Sequence, residues 1–170
     1  MFIIKRFKDF FQERRYRRQR AKRGWSVKDT WNIDYWFLNI LPQMLEYLKE
    51  HHIGFPVDIQ REYVNSHREE LNMTYEEYCI WPSDKNSDGY KLRERTDEVC
   101  NRLWNEILDR MIFLLREANE ETCSVKNHYD EESRENHSEF IGKYGADKYR
   151  DRCKTEAINL FNKWFWNLWD

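Results

Sequence analysis

Two short windows of the chain are dense in large aromatic rings. They cover residues 24–36 and 163–170, and together they hold six of the eight tryptophans. Rings of this size either build a core or offer flat surfaces on which a nucleobase or a partner side chain stacks. We predict that the two windows meet in space and form one recognition surface. Its candidate ligand-binding residues are Trp25, Trp31, Asn32, Asp34, Tyr35, Trp166 and Trp169.

Asp34 and Trp166 are the most informative of these residues, and each has a structural alternative. At 100° per residue, Asp34 lies within about 60° of the centre of its helix's apolar stripe, where a carboxylate needs a partner. It is either an acceptor for an indole N–H or an arginine, or a pocket acid that meets a ligand. Trp166 lies about 160° from the buried face of the last helix. It either packs on another segment or serves as a stacking platform or protein contact.

The charge of the chain is divided unevenly. Residues 1–24 hold ten basic and two acidic side chains, net +8, so the total of −2 leaves −10 on the remainder. The same arm has an apolar stripe at helical spacing, made of Phe2, Ile3, Phe7, Phe10 and Phe11. Such an arm could dock on the acidic surface of its own or a neighbouring subunit or of another protein. It could also bind a nucleic acid or an anionic membrane. The candidate phosphate or partner contacts are Arg14, Arg15, Arg18, Arg20 and Arg23.

Patterns typical of catalysis are scarce. The sequence has no glycine-rich phosphate loop, HExxH or GxSxG. The all-α nucleotide pyrophosphohydrolases hold magnesium with EExxE and ExxD helices, and residues 131–135 (EESRE) and 106–109 (EILD) are similar in the reverse order. Histidine and glutamate stand three residues apart at 67 and 70 and at 128 and 131, a spacing common among solvated pairs. We therefore predict no catalytic residue, no metal site and no cofactor.

Composition favours a single helical domain. The chain has 170 residues, of which 16% are aromatic and 35% charged, with only five glycines and three prolines. No apolar run approaches the ~18 residues of a membrane span, and the N-terminus lacks a secretory pattern. The four cysteines form no CxxC pair, which favours free thiols in a reduced, intracellular setting.

Helical periodicity and capping signals predict the elements. We expect a first helix over 2–22 and a second that opens at Ser26, bends at Pro42 and ends before Gly54. Residues 58–71 are helix-compatible, a capping box predicts a short helix from Thr74 to near Pro82, and residues 83–89 read as a loop. Long helices follow over about 92–120 and 146–169, and the polar residues 120–145 between them form a mobile connection or a solvated helix. The predicted buried faces are Ile33, Phe37, Ile40, Leu41, Met44, Leu45 and Leu48 on the second helix, Thr96, Val99, Cys100, Leu103, Ile107, Met111, Leu114, Leu115 and Ala118 on the helix over 92–120, and Cys153, Ala157, Leu160, Phe161, Trp164, Phe165 and Leu168 on the last helix. The predicted fold is all-α, a three- to four-helix bundle (24–170) with an appended basic amphipathic N-terminal helix (1–23).

Both ends of the chain resemble a family of small tailed-bacteriophage proteins. The residues concerned are Arg20–Ser26 (RAKRGWS), Asp29–Asp34 (DTWNID), Gly54–Pro56 and Phe165–Asp170 (FWNLWD). The resemblance covers residues 18–56 and 155–170. It implies a viral accessory protein in the host bacterial cytoplasm and assigns no catalytic residue.

Rings, arginines and carboxylates near predicted helix ends favour a non-enzymatic binding protein. In the preferred hypothesis it sequesters a nucleotide-derived small molecule, such as a host immune signal, and so acts against host defence. The first alternative is an inhibitor or adaptor that binds a host or viral protein, and the second is a magnesium-dependent pyrophosphohydrolase-like enzyme. Nucleic acid is a further partner of the arm, and the opposite charges of arm and body fit a homo-oligomer.

Overall fold

Helices dominate the protein in the computed structural model. The structure describes residues 2–80, 82, 84–125 and 139–169, with the side chains of residues 10–80, 82, 84–125 and 145–169. These residues contain no strand, so the predicted all-α class is confirmed. The chain divides into two compact units, an N-terminal unit of Met1–Ile40 and a C-terminal unit of Leu41–Asp170.

The N-terminal unit contains a long helix and a short turn. Helix α1 covers Phe2–Arg23, and Gly24 ends it with a positive φ of 78°. A 3₁₀ turn, η1, follows over Val27–Trp31, and helix α2 begins at Ile33. The helix predicted to open at Ser26 is therefore interrupted at Asn32. One local cause is the Thr30 hydroxyl, which donates to the Val27 carbonyl at 2.8 Å and competes for an acceptor of the first turn.

The C-terminal unit is built around one long helix. Helix α2 continues through Pro42 to His51. The shorter helices are α3 (Val57–Ser66), α4 (Arg68–Leu71) and α5 (Tyr75–Tyr78), and the long ones are α6 (Asp88–Ala118) and α7 (Glu139–Trp164). A 3₁₀ turn, η2, covers Phe165–Asn167.

Among the described residues, helix α6 supplies more of the buried hydrophobic side chains than any other helix, because two sides of it are buried. It packs along α7 and against α3. Its buried residues recur at helical spacing and are Thr96, Cys100, Trp104, Leu108, Met111, Ile112, Leu114, Leu115, Glu117 and Ala118. The α7 face that meets α6 carries the buried residues Ala146, Cys153, Ala157 and Trp164.

Polar contacts fix the shorter helices and the second half of α2 on α6. Asp97 accepts hydrogen bonds from the Tyr78 hydroxyl at 2.8 Å and from the Gln60 amide at 3.0 Å, which ties α5 and α3 to α6. Lys49 pairs with Asp109 at 2.7 Å, and Glu46 pairs with Arg116. The predicted capping box is confirmed, because Thr74 and Glu77 each accept the other's backbone N–H.

Several predicted boundaries are wrong for local reasons. Helix α6 starts at Asp88, inside the expected loop, because the Ser87 hydroxyl accepts the Tyr90 N–H and caps it. Helix α5 ends at Tyr78 and not near Pro82. Residues 58–71 form two helices, since α3 ends at Ser66. The last α-helix covers Glu139–Trp164 and not 146–169, so residues 139–145 are helical, which is one of the two alternatives expected for the connecting segment. Residues 126–138 of that connection lie outside the described residues.

None of the helices that the structure describes is both long enough and apolar enough to cross a bilayer. All four cysteines are free thiols, with Cys79 exposed and the other three buried.

Candidate functional site

The sequence-predicted site residues fall in both units. Trp25, Trp31, Asn32, Asp34, Tyr35 and the five arginines belong to the N-terminal unit, whereas Trp166 and Trp169 belong to the C-terminal unit. The meeting of the two aromatic windows therefore stays a prediction, and each unit is described by itself.

In the N-terminal unit, Asp29 holds η1 on α1. Its carboxylate accepts the Ser26 N–H at 2.7 Å, the Ser26 hydroxyl at 2.8 Å and the Arg20 Nε at 3.0 Å. The Arg20 hydrogen bond and the two from Ser26 hold the pKa of Asp29 well below its usual range. Arg20 and Asp29 thus have a structural role. The sequence predicted Arg20 as a phosphate or partner contact, whereas here its guanidinium is paired with Asp29.

We expect Asp29→Asn to destabilise the Val27–Trp31 turn by about 1–2 kcal/mol, because the charge-assisted hydrogen bond to Arg20 is lost and only one acceptor oxygen remains for Ser26. Because the pKa of Asp29 is lowered in the folded state, its charged form stabilises the fold at pH values above the ordinary Asp pKa of about 3.9. This contribution is lost as the pH falls through the pKa that Asp29 has in the folded state. Hydrogen exchange of the Val27–Trp31 amides in the full chain measures the effect.

Glu13→Gln is the matched control for that measurement. Glu13 pairs with Lys28 at 3.3 Å, and both side chains are about half exposed, so the pair contributes little. Equal loss of protection in the two variants would contradict the role given to Asp29.

Basic side chains line one face of α1. Phe11, Arg14, Arg15, Arg18, Gln19, Lys22 and Arg23 surround a shallow depression of about 400 Å³. We call this face the basic stripe. Its lining has five cations and no acid, and within the described residues Arg14, Arg15, Arg18 and Lys22 form no ion pair. Arg23 lies 3.6 Å above the Trp25 ring and donates to the Trp25 carbonyl. The arrangement can bind phosphate groups.

The remaining candidates of the N-terminal unit are exposed. Trp31 is 84% exposed and Ile33 is 65% exposed. Asp34 is exposed in the first turn of α2, where a carboxylate is favoured by the helix dipole. The prediction that Asp34 sits on a buried stripe and needs a partner is therefore wrong. Asn32 caps η1 at its C-terminal end, and Tyr35 is exposed.

In the C-terminal unit, rings surround a cavity beside the C-terminal turn. It measures about 410 Å³ and is lined by Ile53, Gly54, Phe55, Pro56, Trp104, Asn167 and Trp169. We call it the aromatic pocket. Residues 53–56 form one side, and His52 anchors them because its ring nitrogens lie 2.7 Å from the Gly54 carbonyl oxygen and 2.8 Å from Asn105 Oδ1. The lining contains no titratable side chain, so it offers binding without an acid or a base.

Trp166 and Trp169 have different surroundings although both are exposed. Trp169 lines the aromatic pocket, and its Nε1–H donates to the Trp166 carbonyl at 2.8 Å. Trp166 is 83% exposed, as predicted, although it lies in η2 and not on the α-helix for which its angle was calculated. Its ring contacts Phe165 edge-on and lines none of the cavities described here. Phe165 was expected on the buried side and is exposed instead, since the chain leaves the α-helix at Trp164.

A second cavity lies on the other side of the same turn. It has about 370 Å³ and is lined by Leu41, Met44, Leu45, Tyr47, Leu48, His51, Phe161, Phe165 and Leu168. We call it the apolar pocket. Met44, Tyr47 and Phe165 remain exposed at its edge. Met44 was predicted to be part of the buried face of α2, and that part of the prediction is wrong.

A larger groove of about 870 Å³ between α3, α6 and α7 has a mixed charge. Its Lys163 pairs with Glu62 at 3.5 Å and its Arg110 with Glu156 at 2.6 Å. These pairs leave the groove with little net charge to select a ligand.

The acidic residues named from the sequence do not form a metal site where they are described. Asp109 is paired with Lys49, and residues 131–135 and the His128–Glu131 pair lie outside the described residues. Across the described part of the chain, no three His, Cys, Asp or Glu side chains gather closely enough to hold a metal ion.

Comparison with protein-family models, curated proteins and solved structures finds no match for the chain.

Sequence reasoning missed most of the aromatic pocket. Phe55 and Pro56 looked like the end of a helix, and Trp104 was left out of the buried period of α6. The signal for Trp104 was its spacing of four from both Cys100 and Leu108, which are buried. Lys22 and Phe11 were seen as parts of the arm, but not as members of one face with the arginines.

Proposed function

We propose that the protein binds a nucleotide-derived small molecule without catalysis and that the aromatic pocket takes its base. The observation that carries this proposal is the pocket itself, which combines the Trp169 and Phe55 rings with a volume of about 410 Å³. That volume lies within the range of about 300–1,000 Å³ typical of small-molecule sites.

The pocket chemistry suits a neutral flat ring. Stacking on an aromatic side chain contributes about 1–3 kcal/mol per base, and the Asn167 amide offers a donor and an acceptor for a base edge. The lack of titratable lining groups supports sequestration over turnover.

The biological setting rests on the resemblance of the chain ends. A tailed-bacteriophage origin supports an accessory protein in the host bacterial cytoplasm that withdraws a host signal and so acts against defence. The central position of α6 also supports a three- to four-helix bundle in the C-terminal unit, with α1 as an appended helix.

Thermal shift with nucleosides, mononucleotides and cyclic dinucleotides tests the proposal. We expect a compound present at 100 times its dissociation constant to stabilise the protein by about 2.7 kcal/mol, and to be recovered unaltered after denaturation. Trp169→Ala should weaken binding about 5- to 150-fold, which is the stacking contribution expressed as affinity.

Trp166→Ala is the matched control, because this tryptophan is equally exposed on the same turn but lies outside the pocket. If none of the compounds stabilises the protein, or if the two variants bind equally, the proposal is wrong. Recovery of a converted compound would show an enzyme instead.

A second candidate function is an inhibitor or adaptor that binds a host or viral protein. It is favoured by the apolar pocket, whose edge keeps Met44, Tyr47 and Phe165 exposed beside Trp166. Large exposed apolar side chains are typical of protein contacts. Here Met44→Asp should abolish co-purification with the partner, while Trp169→Ala should leave it intact.

A further inference from the structure

We propose that the basic stripe of α1 is a nucleic-acid-binding surface that contacts the phosphate backbone without reading base sequence. This inference goes beyond the proposed function, because it concerns another surface and another class of ligand.

Arg14, Arg15, Arg18 and Lys22 of the stripe lie on a face of α1 that the rest of the N-terminal unit leaves free. Gln19 instead accepts the Val27 N–H, and Arg23, about 140° from Arg18, contacts Trp25. At 100° per residue, Arg14, Arg15 and Lys22 lie within about 60° of Arg18. On the same wheel Glu13 and Arg20 lie about 140–160° from Arg18. Those two residues pair with Lys28 and Asp29 next to η1. These pairs place η1 on the side of α1 opposite Arg18, so that the Arg18 side of the helix faces away from η1.

The charges of the stripe are not compensated from within the described residues. Arg14, Arg15, Arg18 and Lys22 form no ion pair there, and the lining contains no acid. Four cations close together repel one another, and a polyanion relieves this repulsion. From Phe11 to Arg23 the stripe extends about 18 Å at 1.5 Å per residue, which spans several phosphates of a strand.

A polymer fits the stripe better than a small molecule. The depression lies on one helix and has no second wall, so it cannot enclose most of a ligand as small-molecule sites do. A helix of about 10–12 Å diameter can lie along a nucleic-acid groove with many phosphate contacts at once. The exposed rings of Phe11 and of Trp25 offer stacking to unpaired bases.

A membrane fits the stripe less well. An interfacial helix needs a continuous apolar face opposite its charges. Between Gln12 and Arg23 the only ring is Tyr16, and the opposite face carries Glu13 and Arg20. This part of α1 therefore has no apolar face to insert into a bilayer, and the exposed rings of Phe10 and Phe11 lie only at its N-terminal edge.

Salt-dependent binding of the full-length protein tests the proposal. Fluorescence anisotropy is measured with a labelled 20-base-pair duplex, with one of its single strands, and with vesicles of phosphatidylcholine containing 30% phosphatidylserine. If the four cations of the free face contact phosphates, log K against log salt should have a slope of about −3.6 for the duplex and −2.8 for the single strand. Duplex affinity should then fall about 150-fold between 50 and 200 mM salt. An unrelated sequence should bind equally well.

A double variant with a matched control assigns the binding to the stripe. R14Q/R18Q should reduce the duplex slope to about −1.8, because two of the four phosphate contacts are lost. R17Q/R95Q removes the same charge from exposed positions outside the stripe and should leave the slope unchanged. Circular dichroism verifies that both variants keep their helix content.

Three outcomes would overturn the proposal. The first is that neither the duplex nor the single strand binds at 50 mM salt. The second is an equal salt slope of duplex binding for the two double variants. The third is binding to the vesicles without binding to either nucleic acid.

Discussion

Replacement of Trp104 by alanine is expected to lower the free energy of unfolding of the C-terminal unit by about 3–5 kcal/mol. Trp104 is 1% exposed in the middle of α6. Its ring meets that of Trp164 edge-to-face, with centroids 5.6 Å apart and planes at 62°. The variant therefore loses the buried area, leaves a cavity where α6 and α7 pack, and removes an aromatic pair worth about 0.5–1.5 kcal/mol.

Urea denaturation followed by far-ultraviolet circular dichroism measures this effect. Trp166→Ala deletes the same side chain from an exposed position and should change stability by less than about 0.5 kcal/mol. Trp104→Phe should fall between the two because it keeps a ring but not its full volume. A Trp104→Ala variant as stable as Trp166→Ala would contradict the central role given to α6.

Loss of Glu117 should be the next largest effect, with an expected cost of about 2–4 kcal/mol for Glu117→Ala. This carboxylate is buried at the C-terminal end of α6. It accepts the Tyr149 hydroxyl at 2.8 Å, the Ser124 hydroxyl at 2.6 Å and the Ser124 N–H at 3.1 Å. Alanine would leave these donors without their acceptor and free the turn after α6 from α7.

Tyr149→Phe is the control, since it removes only one of the donors to Glu117 and should cost less than Glu117→Ala. The hydrogen bond to Glu117 raises the pKa of Tyr149 to about 12. A raised tyrosine pKa favours the protonated phenol in the fold, so its contribution is complete below about pH 10 and is lost as pH rises towards 12. Unfolding curves from pH 8 to 12 should therefore show an alkaline loss in the parent protein that Tyr149→Phe lacks.

The sequence was sufficient for what depends on nearby residues. The capping box at Thr74 and Glu77 and the end of α2 before Gly54 both follow from local sequence signals. The all-α class follows from composition and from the helical period of α6.

What the sequence did not predict depends on residues far apart in the chain. Trp104 is buried because α6 is covered by both α3 and α7, so its buried stripe is wider than a one-sided period suggests. The aromatic pocket requires the turn at Gly54 to approach Asn167, a contact over more than a hundred residues. Asp34 was predicted to lie close to the buried stripe of α2, but Ile33, a predicted member of that stripe, is itself exposed.

Neighbouring residues of the short segment 165–169 line two different cavities. Phe165 and Leu168 line the apolar pocket, whereas Asn167 and Trp169 line the aromatic pocket. A molecule that shifts this short segment on one side changes the shape that the other side presents. Such coupling is reciprocal: if occupancy of one cavity alters affinity at the other by some factor, the reverse effect has the same factor. A mutation of the segment is thus felt as a change in cooperativity as well as in affinity.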